Sequence, residues 1–277
     1  MSLSKRLINT GGESLAACDD FDTSNLTIVS TELFSNGSYA WLVMIRFFDN
    51  GTKMVFNKGT TLYQCDLTIP YQAGPSSRVN TVSITGLSNQ NVTYGNFYDN
   101  GYKFILSIQT GEVVQLNLNV PYDATSFSSK DTITTYPIFS HSFNAFDFNA
   151  DGSKIIIANA TSNVKEYSLS TPYDMTSTFT STGVTVTFNA FNYLEYNSDG
   201  TKLMTSDNTF DNLRVYDLST PYDITTNTLV NSVNIDDRIY HGTWLDVKTV
   251  TRAECFLGAV YLVGNSYNGA YRLREML

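Results

Sequence analysis

The chain has 277 residues, 42% of them hydrophobic and 13% aromatic, with a formal net charge of -9 and a pI near 4.6. That is too apolar for a disordered chain and too acidic for nucleic-acid binding, which needs clustered Lys and Arg to displace counterions. The longest apolar run is seven residues, Tyr39 to Ile45, far short of the ~20 needed to span a membrane. Ser, Thr and Asn together supply 88 residues, a composition suited to strands and tight turns.

Residues 1–20 carry one basic pair, Lys5-Arg6, followed by Leu7-Ile8, and no apolar segment of the kind a secretory signal requires. They read as an extension outside the folded unit, which is expected over 21–277. Residues about 23–31, containing Asn25-Leu-Thr-Ile-Val-Ser, read as an isolated strand. A second strand, Leu42-Val-Met-Ile-Arg, leads into the first of four aligned segments.

The four segments begin at Phe47, Phe97, Phe148 and Tyr196. Their turn glycines are Gly51, Gly101, Gly152 and Gly200, spaced 50, 51 and 48 residues apart. Each glycine is followed two residues later by lysine: Lys53, Lys103, Lys154 and Lys202. Each segment then reaches a Pro-Tyr pair, at Tyr71, Tyr122, Tyr173 and Tyr222. A fixed period near 50 residues marks a repeat architecture. Within each unit, Asn-Gly or Asp-Gly separates two apolar stretches, the signature of a hairpin whose turn needs positive φ. A third stretch ends at the proline, which cannot donate to a ladder. A Thr-rich fourth follows, such as Val184-Thr-Val-Thr-Phe. Four strands in roughly 50 residues make the blade of a β-propeller.

A degenerate fifth unit follows. Thr243-Trp-Leu-Asp-Val reads as its inner strand, Ala259-Val-Tyr-Leu-Val as its second and Ala270-Tyr-Arg-Leu-Arg as its third. The expected fold is therefore an all-β, five-bladed β-propeller. The strand at 23–31 is expected to close the ring against the C-terminal blade, which removes a reactive sheet edge.

Five residues before each turn glycine stand Arg46, Asn96, Asp147 and Glu195, with Asp246 at the matching place in the fifth unit. Their neighbours are mostly apolar, so alternation puts the polar residues on one face of each inner strand. They are expected to line the central channel. Three of the five are carboxylates. Such a ring suits a cation or, with one carboxyl as acid and another as base or nucleophile, glycoside hydrolysis. The alternative is a solvated polar channel in which Arg46 offsets the acids.

The turn aspartates Asp49, Asp99, Asp151 and Asp199 are one per loop, a poor match to the several converging oxygens of a calcium site, and read as turn formers. The Pro-Tyr tyrosines read as structural corners or as sugar-stacking platforms. Cys18, Cys65 and Cys255 form no C-x-x-C pair and are odd in number, which suggests neither a disulfide framework nor zinc. His141 and His241 have no nucleophile–base pattern around them. No cofactor or metal is expected.

The repeat D-G-x-K followed by Y-x-L-S-T-P-Y-D resembles the propeller repeats of bacteriophage structural proteins, especially those of marine and cyanobacterial phages. The resemblance covers residues 47–230. The opening Met1-Ser-Leu-Ser-Lys-Arg-Leu-Ile-Asn-Thr-Gly is similar to the start of such virion proteins. It implies a non-enzymatic virion component, tail- or capsid-associated. Lys5, Arg6, Leu7 and Ile8 would then lie in an arm that docks on other virion proteins. The propeller would serve attachment or host adhesion, with a host glycan or protein as partner and no nucleic acid or membrane insertion. A lectin-like module and a glycosidase are the competing readings.

Overall fold

The computed structural model describes residues 28–33, 45–49, 52–58, 61–69, 78–84, 92–108, 111–133, 145–158, 163–188, 193–197, 199–206, 212–234, 252–256, 259–265 and 271–276. Twenty strands run through them, and no α-helix occurs among these residues. The first strand, β1, is Ile28–Leu33.

Blade 1 comprises β2 (Ile45–Phe48), β3 (Lys53–Lys58), β4 (Thr61–Leu67) and β5 (Arg78–Ser83). Blade 2 comprises β6 (Val92–Tyr98), β7 (Lys103–Ile108), β8 (Val113–Leu118) and β9 (Phe127–Ile133). Blade 3 comprises β10 (Ala145–Phe148), β11 (Lys154–Ala158), β12 (Asn163–Leu169) and β13 (Phe179–Thr187). Blade 4 comprises β14 (Tyr193–Tyr196), β15 (Lys202–Ser206), β16 (Asn212–Leu218) and β17 (Asn227–Asn234). In each blade the strands pair in chain order, antiparallel throughout. The described residues thus form an all-β propeller with four blades of consecutive strands.

A further four-stranded sheet is assembled from both ends of the sequence. It holds β18 (Arg252–Phe256), β19 (Ala259–Asn265) and β20 (Tyr271–Met276), with β1 on its outer edge in the order β1-β20-β19-β18. β1 pairs with β20 from Ile28↔Met276 to Leu33↔Arg272. Its first strand differs from the expected one. Residues 252–256 form β18 and pair with β19. The segment at 243–247 lies outside the described residues.

The core fills the seams between blades. Apolar residues of adjoining strands interleave there, including Tyr94, Tyr98, Phe146, Phe148, Ile155 and Leu194. Strands β7 and β8 are buried on both faces, with Phe104, Ile105, Leu106, Val113, Val114 and Leu116 all fully enclosed. Such strands read as near-continuous apolar runs because both faces of a blade are covered.

The fourth strands are the exposed perimeter. In β5 and β13 most side chains face solvent. Each outer strand slips register against its third strand: between Gln64 and Asp66, Asn117 and Leu118, Lys165 and Tyr167, and Val215 and Tyr216. Asn80 (φ 51°) and Gly183 (φ 82°) occupy left-handed conformations at two of these bulges. A bulge of this kind twists an edge and interrupts its pairing potential.

Candidate functional site

Each blade carries one row of opposed residues from its inner to its third strand. The rows are Arg46–Val55–Gln64, Asn96–Ile105–Gln115, Asp147–Ile156–Glu166 and Glu195–Met204–Val215. Directly opposed residues of antiparallel strands share a face. The hydrogen bonds of these rows show that this face looks onto the next blade. Gln64 Oε1 accepts from Ala124 N of blade 2 at 2.9 Å. Gln115 Oε1 accepts from Met175 N of blade 3 at 2.9 Å. Asp147 Oδ2 accepts from Tyr196 N of blade 4 at 2.8 Å.

The polar residues read from the sequence thus share rows whose hydrogen bonds reach the next blade. Arg46 and Asp147 are buried, with 7% and 6% of their surface exposed. Asn96 turns its Oδ1 to its own strand and accepts from Phe97 N at 2.8 Å. Asp147 does the same with Oδ1 and Phe148 N at 2.9 Å, while its second oxygen crosses to blade 4. Glu195 meets Arg46 across 149 residues of sequence. Arg46 Nη1 lies 3.0 Å from Oε1 and 3.2 Å from Oε2. Three of the predicted residues, Arg46, Asp147 and Glu195, thus form one electrostatic cluster, and Asn96 lies on the neighbouring inner strand. Asp246 lies outside the described residues, as do the arm residues Lys5, Arg6, Leu7 and Ile8.

Burial and the neighbouring Glu195 charge push the Asp147 carboxyl up to about 7, against the pull of its two N–H donors and Arg46. The Tyr94 and Tyr98 hydroxyls face the same cluster and are held well above the usual phenol range by burial. Tyr98 Oη donates to Phe146 O at 3.3 Å.

The Pro-Tyr tyrosines are structural corners. Tyr122, Tyr173 and Tyr222 adopt φ of 59°, 54° and 61°. Each backbone N–H donates to the turn glycine of its own blade: Gly101 O at 2.9 Å, Gly152 O at 3.0 Å and Gly200 O at 2.9 Å. The rings of Tyr122 and Tyr173 also join neighbouring blades. Tyr122 lies against Phe97 of its own blade and Phe48 of blade 1, with centroids 5.5 and 6.2 Å apart. Tyr173 repeats this with Phe148 at 5.3 Å and Tyr98 of blade 2 at 6.4 Å. Tyr71 lies outside the described residues.

The turn aspartates form local turns. Asp151 Oδ1 accepts from Ser153 N at 2.9 Å and Oγ at 2.6 Å, and Asp199 Oδ1 accepts from Thr201 N at 2.8 Å and Oγ1 at 2.5 Å. These bonds hold both carboxyls below the usual range. Two repeated lysines pair within their blades: Lys154 Nζ with Glu166 at 3.2 Å and Lys202 Nζ with Asp217 at 2.8 Å. Cys65 is a buried free thiol, pushed up to about 11 by burial. The cysteine at 18 and both histidines lie outside the described residues. Among the described residues no group of three or more His, Cys, Asp or Glu is placed to hold a metal ion.

Sequence reasoning missed two repeated devices. The Gln64, Gln115, Glu166 series follows the 51-residue period. The aspartate after each Pro-Tyr pair is the second: Asp123, Asp174 and Asp223 each accept from the backbone N–H and hydroxyl of the threonine two residues on. The D-x-T spacing was the available signal for that turn.

No protein-family model matches the chain, and no curated protein matches its sequence. Among solved structures, it is similar to the β-propeller domain of Cps50 (Swd1) from Myceliophteria thermophila, with a TM-score of 0.44, 9% identity, and 85% of this chain and 69% of that one covered. It is also similar to a functionally unknown protein from Desulfotomaculum acetoxidans DSM 771, with a TM-score of 0.45, 14% identity, and coverage of 76% and 74%. A putative 6-phosphogluconolactonase from Bacteroides fragilis NCTC 9343 has a TM-score of 0.41 and 11% identity, with 71% of this chain aligned to 55% of that protein.

Proposed function

We propose that this chain is a non-enzymatic structural or adhesion propeller of a bacteriophage particle, attached through its N-terminal extension and presenting its rim to a host surface. The observation that carries the non-enzymatic part is the commitment of the inner-strand acids Asp147 and Glu195. Both oxygens of Asp147 accept backbone N–H groups, and both oxygens of Glu195 lie on Arg46. A general acid or base needs an oxygen within reach of the substrate. These carboxyls are engaged in joining blades. The particle assignment rests on the resemblance of the D-G-x-K and S-T-P-Y-D repeat to virion propellers. The composite sheet serves as a fifth blade that closes the ring, a reading supported by the β1–β20 pairing.

Quantitative mass spectrometry of purified particles tests the assignment. Multiple copies per particle are expected, and absence from particles overturns it. A variant lacking residues 1–20 is expected to remain folded and fail to attach.

A lectin-like role is the second reading. It is favoured by the rim of blade 2, where Tyr102 and Tyr122 are 48% and 40% exposed. An oligosaccharide array tests it, with binding lost in Tyr102→Ala.

A further inference from the structure

The end of the blades that carries the hairpin turns and Pro-Tyr corners differs in chemistry from blade to blade. In blade 2, Leu118 N donates to Tyr102 O at 2.8 Å and Tyr122 N to Gly101 O at 2.9 Å, so turn, third-strand end and corner make one surface. Tyr102, Val120 and Tyr122 stand on it with 48%, 52% and 40% of their area exposed. In blade 1, Leu67 N donates to Thr52 O at 2.7 Å, which puts Ile69 at the place Val120 holds, and it is 41% exposed. The Tyr122 ring on Phe48 joins the two blades there. Blades 3 and 4 build the same contact with other residues: Leu169 N donates to Ser153 O and Leu218 N to Thr201 O, and the place of Val120 is taken by Thr171 and Thr220. The repeat geometry is thus made equally well with small hydroxyl side chains, and nothing in the fold requires Tyr102, Val120 or Ile69 to be apolar.

We propose that this end of blades 1 and 2 is a protein-docking face whose occupant is a segment of aliphatic or aromatic side chains bordered by Lys or Arg. Exposed apolar side chains grouped inside a polar rim mark an interaction site. Here the rim is acidic. Turn and corner set Asp99 and Asp123 in blade 2, Asp151 and Asp174 in blade 3, and Asp199 and Asp223 in blade 4, against one turn lysine in each. Two of those lysines, Lys154 and Lys202, already pair with Glu166 and Asp217. The chain as a whole carries a formal charge of -9. A basic border on the partner is therefore attracted, and the same face of a second copy is repelled. Protein is favoured over sugar by Ile69 and Val120, which offer neither a flat ring for stacking nor a hydrogen bond, while exposed tyrosines are common anchors of protein interfaces. This gives a chemistry to the partner in the attachment role proposed above. Its test needs no particle, so the two fail separately.

The test uses the intact chain against immobilised synthetic peptides that combine apolar residues with Lys and Arg, apolar residues with Asp and Glu, or Ser with Lys and Arg. The variant Ile69→Thr/Tyr102→Ser/Val120→Thr installs the residue types that blades 3 and 4 use at these places, and its urea midpoint should stay near that of the wild-type chain. Binding is expected from the basic apolar peptides alone. It should weaken with added salt, which screens exposed charges. It should fall at least about tenfold in the triple variant, as when an interface anchor is removed. If the triple variant does not fold, Tyr102→Ser alone carries the test, with a loss in the same direction. No binding from any peptide set, equal binding of the basic serine peptides, or full binding retained in the variants each overturn the proposal. So does binding of an oligosaccharide array in place of peptides when the same variant abolishes it, which would make the face a sugar platform.

Discussion

Gly152 lies directly beneath the ring of Tyr173. A Cβ built on the glycine would come within 2.3 Å of the tyrosine Cδ2, and the glycine backbone is left-handed at φ 71°. Its carbonyl accepts from the Tyr173 N–H at 3.0 Å, so hairpin turn and Pro-Tyr corner are one unit. Gly152→Ala should therefore combine a left-handed penalty of about 1–2 kcal/mol with an overpacking cost of about 1–3 kcal/mol. A urea-midpoint decrease of that combined size is expected. No measurable change would mean that the ring is not seated on the glycine.

The corner's hydroxyl makes a smaller contribution. Tyr173 Oη donates to Ala150 O in the same turn. Tyr173→Phe keeps the ring contacts with Phe148 and Tyr98 and removes only that bond. A loss of about 1 kcal/mol is expected. Tyr173→Ala should cost more, because the aromatic join between blades 2 and 3 goes with it.

Gln115 is buried and accepts from Met175 N in the next blade. Gln115→Leu keeps the volume and leaves that N–H without its acceptor in a closed seam. The cost expected is about 1–3 kcal/mol, that of a buried unsatisfied donor. Chemical denaturation measures it. Hydrogen exchange at the Met175 amide, faster in the variant, locates it.

The Arg46–Glu195 pair is partly buried, with 8% and 22% of the two side chains exposed. Arg46→Met strands Glu195 beside the Asp147 carboxyl and should cost about 3–5 kcal/mol. Replacing both as Arg46→Met/Glu195→Gln should cost less than Arg46→Met alone, because the Glu195 charge is removed together with its partner. A double-mutant cycle in urea gives the coupling, and additive effects would mean that the contact carries no net stabilisation.

Burial raises the Cys65 thiol to about 11, so little thiolate forms at neutral pH. Slow alkylation of Cys65 in the native chain and rapid alkylation in urea are expected, read by peptide mass spectrometry. Fast native labelling would place the thiol outside the blade 1 core.

Much of the blade architecture was legible because its punctuation is chemical. Gly152 and Gly200 need positive φ, and the prolines end third strands, so period and strand order follow from residues with few substitutes. The polar position five residues before each glycine was legible as well, through alternation. Its environment was not. Alternation separates the two faces of an inner strand, but it does not distinguish a face turned to the axis from one turned to the adjoining blade. Asp147 is read by pattern as a channel-lining acid, and its bond to the next blade through Tyr196, a partner 49 positions away, is not visible in that pattern. Gln64 and Gln115 went unnoticed for a related reason. A mid-strand glutamine looks like an outward residue until the next blade is laid against it.

The bulged outer strands have a consequence for crowding. At every one of the four perimeters the pairing slips by at least one residue, so no blade offers a neighbour a long, straight row of free amides and carbonyls. Copies held side by side at high local concentration would meet through side chains, and the array would stay a set of discrete rounded bodies instead of fusing into a continuous fibre.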